Sequence, residues 1–574
     1  METRARRSVE GFFKMKSIIV QLLSKALSDA LPQSEIVRLI EVPPTDDMGD
    51  FAFPCFPLAR ALKKNPKQIA EQLCESLVLP PEIQQVKAIS GYLNFYVNKK
   101  ILAGNVLNAA FDNAFGEQHR EKSIVVEFAS PNTNKPLHLG HLRNMSIGES
   151  IARILQFGGN RVVRTSINND RGVHICKSML AYSEFGNGAT PEATGKKSDH
   201  FVGDYYVMFS KKATEDESWN ERAQEMLRRW ESGDEATLAL WKTMNGWALG
   251  GFRETYNLFG IKFDKEYYES AIYKSGKEIV QEGLSSGIFT LRSDGAAIVN
   301  LESEKLGEKV LLRPDGTSVY IVQDLYLAVI KNQEYNYDQS IYVVGNEQDY
   351  HFAVLIAIFK KLGNPISERM KHLSYGMVEL PEGRMKSREG TVVDADDLIH
   401  ETARLASDEL KERYKLSEDE RADRSLKIAL SAIKYQLLKV DITKSMLFDP
   451  KKAISFEGDT GPYLLYSYAR AASILRKADA PETFTIPECS QQEVRIIKKI
   501  AAFPDAVNSS LDKLSPSIIA NYAFELSQNF NEFYHFSKVI GSDVQDFRLQ
   551  IVKAFKMVLK KCLWLLSIEE IEEM

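Results

Sequence analysis

The sequence predicts an α/β protein built on a doubly wound parallel sheet, with a smaller α/β domain before it and an all-helical domain after it. Three observations carry that prediction. From Ser123 a β-branched run, Ile124-Val125-Val126-Glu127-Phe128, leads through a Pro/Asn/Gly-containing loop into an amphipathic helix from about Gly140 to Phe157, then a second strand, RVVRTSI. Strand–loop–helix–strand in that order marks parallel strands with a crossover helix. From about Arg404 strand signals nearly vanish and amphipathic helices continue to the end. The chain has 574 residues, which at roughly 100–200 residues per domain predicts about three to five domains.

Composition narrows the class further. Hydrophobic residues make up 44% and charged residues 26%, ordinary for globular proteins, so disorder, collagen-like repeats and disulfide scaffolds do not describe the whole chain. The formal net charge of −5 offers no global basic field for nucleic acid. The cysteines (Cys55, Cys74, Cys176, Cys489, Cys562) form no C-x-x-C pair, which argues against a structural zinc or a redox dithiol and fits a reducing, cytoplasmic setting. No apolar run reaches the roughly 18–20 residues a membrane span needs.

Taken in chain order, residues 1–16 are basic and weakly amphipathic. A transit peptide is one reading of their Arg-rich composition, opposed by Glu2 and Glu10; the simpler one is a disordered extension ahead of a start at Met15. Residues 17–115 read as a small α/β domain: a helix from Ile18 to Leu31, stopped by Pro32, a helix on LARALKK, a third from Pro66 and a strand, YLNFYV. It carries no catalytic cluster, so recognition is its economical role. Residues 116–403 hold the parallel sheet. Its second half repeats the pattern as VLLR, a Pro314-Asp315-Gly316 turn, SVYIV, a helix, SIYVVG and a helix from about Phe352. Residues 183–260, polar and bearing Trp219, Trp230, Trp241 and Trp247, read as an insertion folded against the sheet. Residues 404–574 form the helical domain.

The chemistry concentrates in SPNTNKPLHLGHLRN, directly after the first strand. His138 and His141 lie three apart at a helix start, so both imidazoles project from one face. Gly140 removes a side chain where a ligand could approach the backbone, and the helix N-terminus supplies N–H groups and a positive dipole end. Two imidazoles there can donate to phosphate oxygens and stabilise charge developing in phosphoryl or nucleotidyl transfer. Two surface histidines at a helix start are the bland alternative.

This segment resembles the HIGH signature of class I aminoacyl-tRNA synthetases, whose catalytic domain is Rossmann-like, and VVEFASPNTNKPLHLGHLRN is similar to the arginyl-tRNA synthetase family in particular. The resemblance runs along nearly the whole chain: GDFAFP and GYLNFYV in a tRNA-contacting N-terminal domain, INNDRG at residues 167–172, and GDTGPYLLYSYAR at residues 458–470, opening a helical anticodon-binding domain. The second signature of the class, K-M-S-K-S, is matched by Arg384-Met385-Lys386-Ser387-Arg388, which lacks the second lysine. Lys135, three residues before the first histidine, stands where arginyl enzymes with that departure often carry a lysine. The resemblance therefore implies that His138, His141, Lys135, Lys386 and Arg388 serve catalysis, the cations neutralising pyrophosphate.

It implies further that Tyr320, Asp324 and Gln348 hold the arginine side chain, a carboxylate being the natural bidentate partner of guanidinium. Tyr320 and Asp324 share a face if a helix begins there. Glu127, Ser130 and Asn132 match positions near the substrate's α-amino and carboxylate groups. For ATP the matching residues are His138, Gly140, His141, Gly345, Glu347, His351, and the backbone of Met377 and Val378. For tRNA, Tyr463, Tyr466, Arg470 and Tyr534 supply aromatic and basic groups, Lys553, Lys556 and Lys560 a basic stripe opposite Phe555, Val558 and Leu559, and Met574 the family's terminal residue. Leu465 replaces a glutamine frequent in the family, and the terminal IEEM lacks the usual proline.

The implied reaction joins L-arginine to tRNA(Arg) through an arginyl-adenylate, with ATP as substrate, Mg²⁺ accompanying it, no resident metal and no covalent enzyme intermediate. It also implies a monomer and tRNA-dependent adenylate formation. Another class I specificity would share the histidine motif but not Tyr320, Asp324 and Gln348 together. A small nucleotidylyltransferase has no use for the helical domain, and a non-catalytic homologue would be expected to lose His138, His141 or Asp324. A tRNA ligand requires a local basic track despite the acidic sum, running from the N-terminal domain through the cleft to Lys553–Lys560.

Overall fold

The computed structural model describes residues 12–27, 30–381 and 393–574. The first helix, Phe12–Leu27, begins inside the predicted extension and ends short of Leu31. Its buried row is Met15, Ile19 and Leu23, spaced by four, so the apolar stripe starts at Met15 rather than Ile18. Residues 1–11 lie outside the described residues. The N-terminal domain closes on an antiparallel sheet ordered β1 (Phe51–Pro54), β3 (Tyr92–Val97), β2 (Ile83–Ile89). Of these the sequence shows only β3: β2 is hidden because most of its residues face solvent, and β1, four residues long, falls in the stretch that reads as a loop.

Five parallel strands form the central sheet, in the order β11 (Met370–Tyr375), β10 (Gln339–Gly345), β4 (Ser123–Glu127), β5 (Arg161–Asn168), β6 (Lys265–Tyr268). Winding proceeds from β4 to β5 and β6, then crosses to β10 and β11, so the order reverses between β4 and β10. Crevices at such a switch point, outside the carboxyl ends of the strands, are where open α/β sheets bind ligands. The Leu139–Phe157 helix leaves β4 at that point and is buried nearly all round, Arg143, Ser146, Glu149 and Ser150 included. A helix buried on every side lies between two layers: the sheet on one, the helical domain on the other.

The second half departs from the predicted pattern. VLLR belongs to β9 (Gly307–Leu312), which with β7 (Thr290–Leu291) and β8 (Ala297–Leu301) makes a separate antiparallel sheet. SVYIV is no strand: Ser318 makes one isolated bridge to Leu312, and the Tyr320–Tyr335 helix begins two residues on. Ile321, Val322, Leu325 and Ala328 are its buried row, a helical period that a short β-branched run conceals. The insertion is three long helices, Ser198–Glu215, Ser218–Ser232 and Glu235–Phe259, with its own cores around Phe201, Phe209 and Trp219 and around Met179 and Met244. Only its end, Phe252, Tyr256 and Phe259, joins the main core.

Residue 404 falls inside the Ala395–Arg413 helix, and a short strand returns later, β13 (Met446–Leu447) pairing in parallel with β12 (Val378–Glu379). Beyond it the chain is helical, ending in Gln545–Leu565. Two carbonyls at that last helix's end are taken by the helix beneath: Ser150 Oγ donates to Leu565 O (2.8 Å) and Arg153 Nη1 to Trp564 O (3.0 Å). Such groups have no partner within their own helix, so the contact docks the helical domain onto the helix that starts at the paired histidines. Among the described residues no helix is long and apolar enough to cross a membrane.

Candidate active site

His138 is the N-cap of the Leu139–Phe157 helix, and its Nδ1 accepts from Gly140 N (3.1 Å). His141 Nδ1 accepts in turn from His138 N (3.1 Å), a capping box made of imidazoles, with ring centroids 3.9 Å apart. A ring nitrogen that accepts cannot carry the proton, so in the neutral rings both protons sit on Nε2. Burial, with Lys135 nearby, pushes His138 down to about 4; burial, then His138 and Lys135, hold His141 well below the usual histidine range. Both are therefore neutral Nε2–H donors at pH 7. Two sequence expectations change. The Gly140 N–H is consumed by His138, and a Cβ on Gly140 would lie 2.9 Å from His138 Cε1, so the glycine makes room for the imidazole rather than for a ligand.

Asn144, one helical turn beyond His141, knits three strand ends together. Its Oδ1 accepts from Ala129 N (2.6 Å), while Nδ2 donates to Val343 O (2.8 Å) and Tyr375 Oη (3.1 Å). The loop after β4 turns through Ala129 and Ser130, at φ 71° and 49°, left-handed values that non-glycine residues hold at a cost. Asn132 bridges Asn169 there and is exposed. Glu127, at the end of β4, is buried and has one oxygen committed to Lys331 Nζ (2.8 Å), itself fully buried over the Tyr342 ring. That pair anchors β4 to the Tyr320–Tyr335 helix and commits Glu127 Oε2 to it.

On the far side of the switch point Tyr320 opens its helix and Asp324 follows one turn later, as the spacing requires. Tyr320 Oη donates to Glu269 Oε2 (3.2 Å), and His351 Nε2 lies 2.7 Å from Asp324 Oδ2. Glu269 sits at the end of β6 and is buried; burial pushes its carboxyl up to about 7, with Arg171 pulling the other way and Asp170 and Asp324 adding to the rise. Asp170 accepts from Ser270 N (2.8 Å) and Oγ (2.6 Å). Three carboxylates and a phenol thus gather here, with the Arg171 guanidinium 3.9 Å from Glu269 Oε1. Sequence reading missed Glu269, because the long insertion separates its strand from β5. His351, expected beside the nucleotide, is hydrogen-bonded to Asp324, and that bond raises its pKa despite burial.

Gly345 ends β10, and Glu347 and Gln348 stand exposed in the single helical turn after it. The backbone of Met377 is not open to an adenine edge: its carbonyl accepts from Arg143 Nη1 (2.7 Å) and Met446 N (2.9 Å), and its N–H donates to Ser445 Oγ (3.3 Å). Val378 lies in β12. Lys135 is half-buried beside the histidines. Lys386 and Arg388 lie outside the described residues.

In the helical domain Arg470 donates to Tyr466 Oη (2.7 Å), lies over the rings of Tyr466 and Tyr534, and bonds Asn531, whose Nδ2 reaches Tyr463 Oη (2.9 Å). Tyr534 is exposed, leaving ring surface for stacking. The lysine stripe fares otherwise. Lys553 Nζ stands over Phe111 (5.0 Å), Lys556 pairs with Glu572 (2.8 Å) over Tyr468, and Lys560 pairs with Glu570. Periodicity placed these lysines on one face, but Glu572 and Glu570 of the same chain pair with two of the three. Met574 is partly buried against the core. Asp199, His200 and Asp396 converge with the spacing of a cation site, yet Lys197 Nζ sits among them, 2.5 Å from Asp396 and 3.2 Å from Asp199, so an ammonium supplies the positive charge.

A parallel sheet with paired imidazoles at its switch point, flanked by an acidic pocket and backed by a helical domain, is the layout of a class I tRNA synthetase. Residues 105–449 match the family of tRNA synthetases class I (R), catalytic domain; residues 17–97 match the arginyl tRNA synthetase N terminal domain and residues 464–574 the DALR anticodon binding domain. The arginine–tRNA ligase of Treponema denticola is 45% identical over 557 residues, covering 93% of this chain and 94% of that one, and that of Parabacteroides distasonis is 43% identical over 92% and 94%. Among solved structures, the arginyl-tRNA synthetase of Thermus thermophilus superposes with a TM-score of 0.80 at 26% identity, covering 96% of this chain and 100% of that one. The chain belongs to the arginyl-tRNA synthetase family.

Proposed function

We propose that this chain joins L-arginine to the 3′ end of tRNA(Arg), consuming ATP and releasing AMP and pyrophosphate. The observation that carries the reading is the pairing of two neutral Nε2–H imidazoles at the switch point with the Tyr320–Asp324–Glu269 pocket at neighbouring strand ends. The first suits a phosphate, the second a guanidinium.

In the first step an arginine carboxylate oxygen bonds to the α-phosphorus of ATP and the bond to the bridging oxygen breaks, expelling pyrophosphate. His138 and His141 donate to phosphoryl oxygens as charge builds there, and because both rings stay neutral they add no charge that would repel Lys135. Lys135, with Lys386 or Arg388, neutralises the pyrophosphate. Asp324 and Glu269 hold the guanidinium, with Tyr320 and Gln348 beside it; Ser130, Asn132 and the second oxygen of Glu127 face the α-amino and carboxylate end. Gly345 and Glu347 border the ribose and adenine and Mg²⁺ arrives with ATP; in the second step the terminal tRNA hydroxyl bonds to the acyl carbon, giving up its proton, as the bond from that carbon to the phosphate oxygen breaks and AMP leaves. Catalysis then rests on positioning and charge stabilisation. The anticodon meets the Tyr463–Tyr466–Arg470–Tyr534 cluster, and the enzyme works as a cytoplasmic monomer.

Charging of total tRNA with each amino acid in turn, for the unaltered chain and Asp324→Ala, tests the reading. Arginine alone is expected to be attached, and the variant to lose about 2–5 kcal/mol of arginine binding, the usual cost of truncating one partner of a buried charge pair. Attachment of another amino acid, or an unimpaired variant, overturns it.

A further inference from the structure

The paired histidines are held from a second direction, by residues 393–396. Leu139 N donates to Val393 O (2.9 Å) and Ala395 N to Leu137 O (3.0 Å), so His138 faces Asp394 in an antiparallel bridge. Asp394 caps the Ala395–Arg413 helix with Oδ1, which accepts from Asp396 N (2.9 Å) and Asp397 N (3.1 Å). Its other oxygen is buried, makes no hydrogen bond and lies 3.3 Å from His200 Nε2. The same His200 nitrogen is 3.3 Å from Asp396 Oδ2, where Lys197 Nζ also arrives (2.5 Å), while Thr255 Oγ1 donates to Asp396 Oδ1 (3.0 Å).

His200 and Lys197 stand at the start of the Ser198–Glu215 helix and Thr255 on Glu235–Phe259, both in the insertion. That insertion supplies none of the groups assigned above to the reaction, yet it is fitted closely here. A Cβ on Gly203 would come 2.7 Å from Pro136 Cδ, beside Lys135, and one on Gly251 would come 2.3 Å from Asp199 Oδ1. Burial disfavours a charged His200, but Asp396, Asp394 and Asp199 outweigh it and push the ring up to about 9, so it is an imidazolium at pH 7.

We infer that His200 is a positioning residue for the paired histidines: its cation fixes Asp394, and Asp394 fixes the backbone bridge that seats His138 on the helix N-cap. The insertion thereby takes part in adenylate formation without touching substrate. Lys197 and His200 Nε2 both bond Asp396, and the same nitrogen faces the otherwise unbonded oxygen of Asp394 as an ion pair at 3.3 Å. The inference rests on the phosphate-binding role of His138 and His141 given above.

The test compares steady-state arginylation by the unaltered chain, His200→Gln, His200→Lys, Asp394→Asn and the double variant His200→Gln/Asp394→Asn, with thermal melting alongside. His200→Gln keeps the size but loses the charge; Asp394→Asn keeps the capping oxygen but loses its partner's attraction. Each is expected to lower kcat about 10- to 100-fold, the scale of a misplacement near 1 Å at reacting groups, with the KM for arginine unchanged. The double variant should be no worse than either single one, and His200→Lys should recover most of the loss. Unimpaired kcat in His200→Gln, additive losses, or a lysine variant as poor as glutamine overturns the inference. If His200→Gln fails to fold, Asp394→Asn at wild-type kcat overturns it alone. An unaltered chain that attaches no arginine overturns both this and the function it rests on, whereas an active chain with indifferent variants overturns only this.

Discussion

At the carboxyl ends of the parallel strands, polar groups point into a common crevice and are supported from behind: His138 by the backbone of Gly140, His141 by the backbone of His138, Glu127 by Lys331, Ala129 by Asn144. On the last helix, Lys556 and Lys560 point outward from a regular stripe but fold down onto Glu572 and Glu570 of the same chain. Both regions carry functional residues in the sequence reading, the histidine motif more sharply. The difference is that the first is built from residues at strand ends, where topology forces convergence, whereas the second was inferred from helical period, which states which face a side chain occupies and nothing about what lies opposite.

The sharpest way to break that contrast is at the imidazoles. His141→Ala is expected to cut arginylation turnover about 10²–10³-fold, the range for losing one preorganised donor to developing charge, with KM for arginine within about twofold. Steady-state kinetics at saturating tRNA decide it. A smaller loss than that of Lys556→Ala would invert the comparison.

His138 also gives a stability signature. Its neutral form is favoured in the fold, where burial pushes it down to about 4 from 6.5, so the unfolded chain binds more protons between those values and stability rises with pH. The contribution is complete above the unfolded value and is lost as pH falls from about 6.5 through about 4. Moving from pH 7 to 5 should cost about 2 kcal/mol from this group, with His141 acting in the same direction. Urea titrations of the unaltered chain and His138→Gln at both pH values measure it as the smaller loss in the variant; equal losses would mean that the ring is solvated.

How far the sequence reached depends on the same distinction. The first strand, its loop, the helix carrying His138 and His141, and the Tyr320–Asp324 turn were readable because each is local: a β-branched run, a cap, a spacing of three or four. SVYIV was misread because five residues hold too little period to separate strand from helix. Glu269, Lys331 and the Asp324–His351 contact were invisible because each joins segments separated by long stretches of chain, and no local pattern encodes such pairings. The pairing of Lys556 with Glu572 and of Lys560 with Glu570 was hidden for a related reason: the glutamates lie past the helix's end at Leu565, where the helical period no longer says which way the chain turns.

Glu269 offers a third probe. Its carboxyl is pushed up to about 7, and a guanidinium requires the carboxylate, so arginine binding should release a proton. Raising pH from 6 to 8 takes the ionised fraction from about one-tenth to about nine-tenths and should tighten arginine binding up to about tenfold. Calorimetric titration with arginine in buffers of different ionisation enthalpy reads both the affinity and the proton. Glu269→Gln should flatten the dependence; if it persists in that variant, another group owns it.

The smallest expected effect is at the stripe, and it is the one that decides whether the contrast is real. Lys556 and Lys560 are partly exposed and paired with partly exposed glutamates, so replacing both by alanine should cost no more than about 1 kcal/mol per pair in stability. Because their charge is already matched within the chain, tRNA affinity should change less than about threefold, and the slope of log affinity against log salt should stay the same. Arg470→Ala serves as the reference, since its guanidinium lies between the Tyr466 and Tyr534 rings, Tyr534 being exposed, and should weaken tRNA binding more than the double lysine variant does. A loss of about one to two units of salt slope in the lysine variant would instead show that phosphates displace Glu570 and Glu572 on binding, and the acidic end would then be a competitor for the same lysines that tRNA seeks.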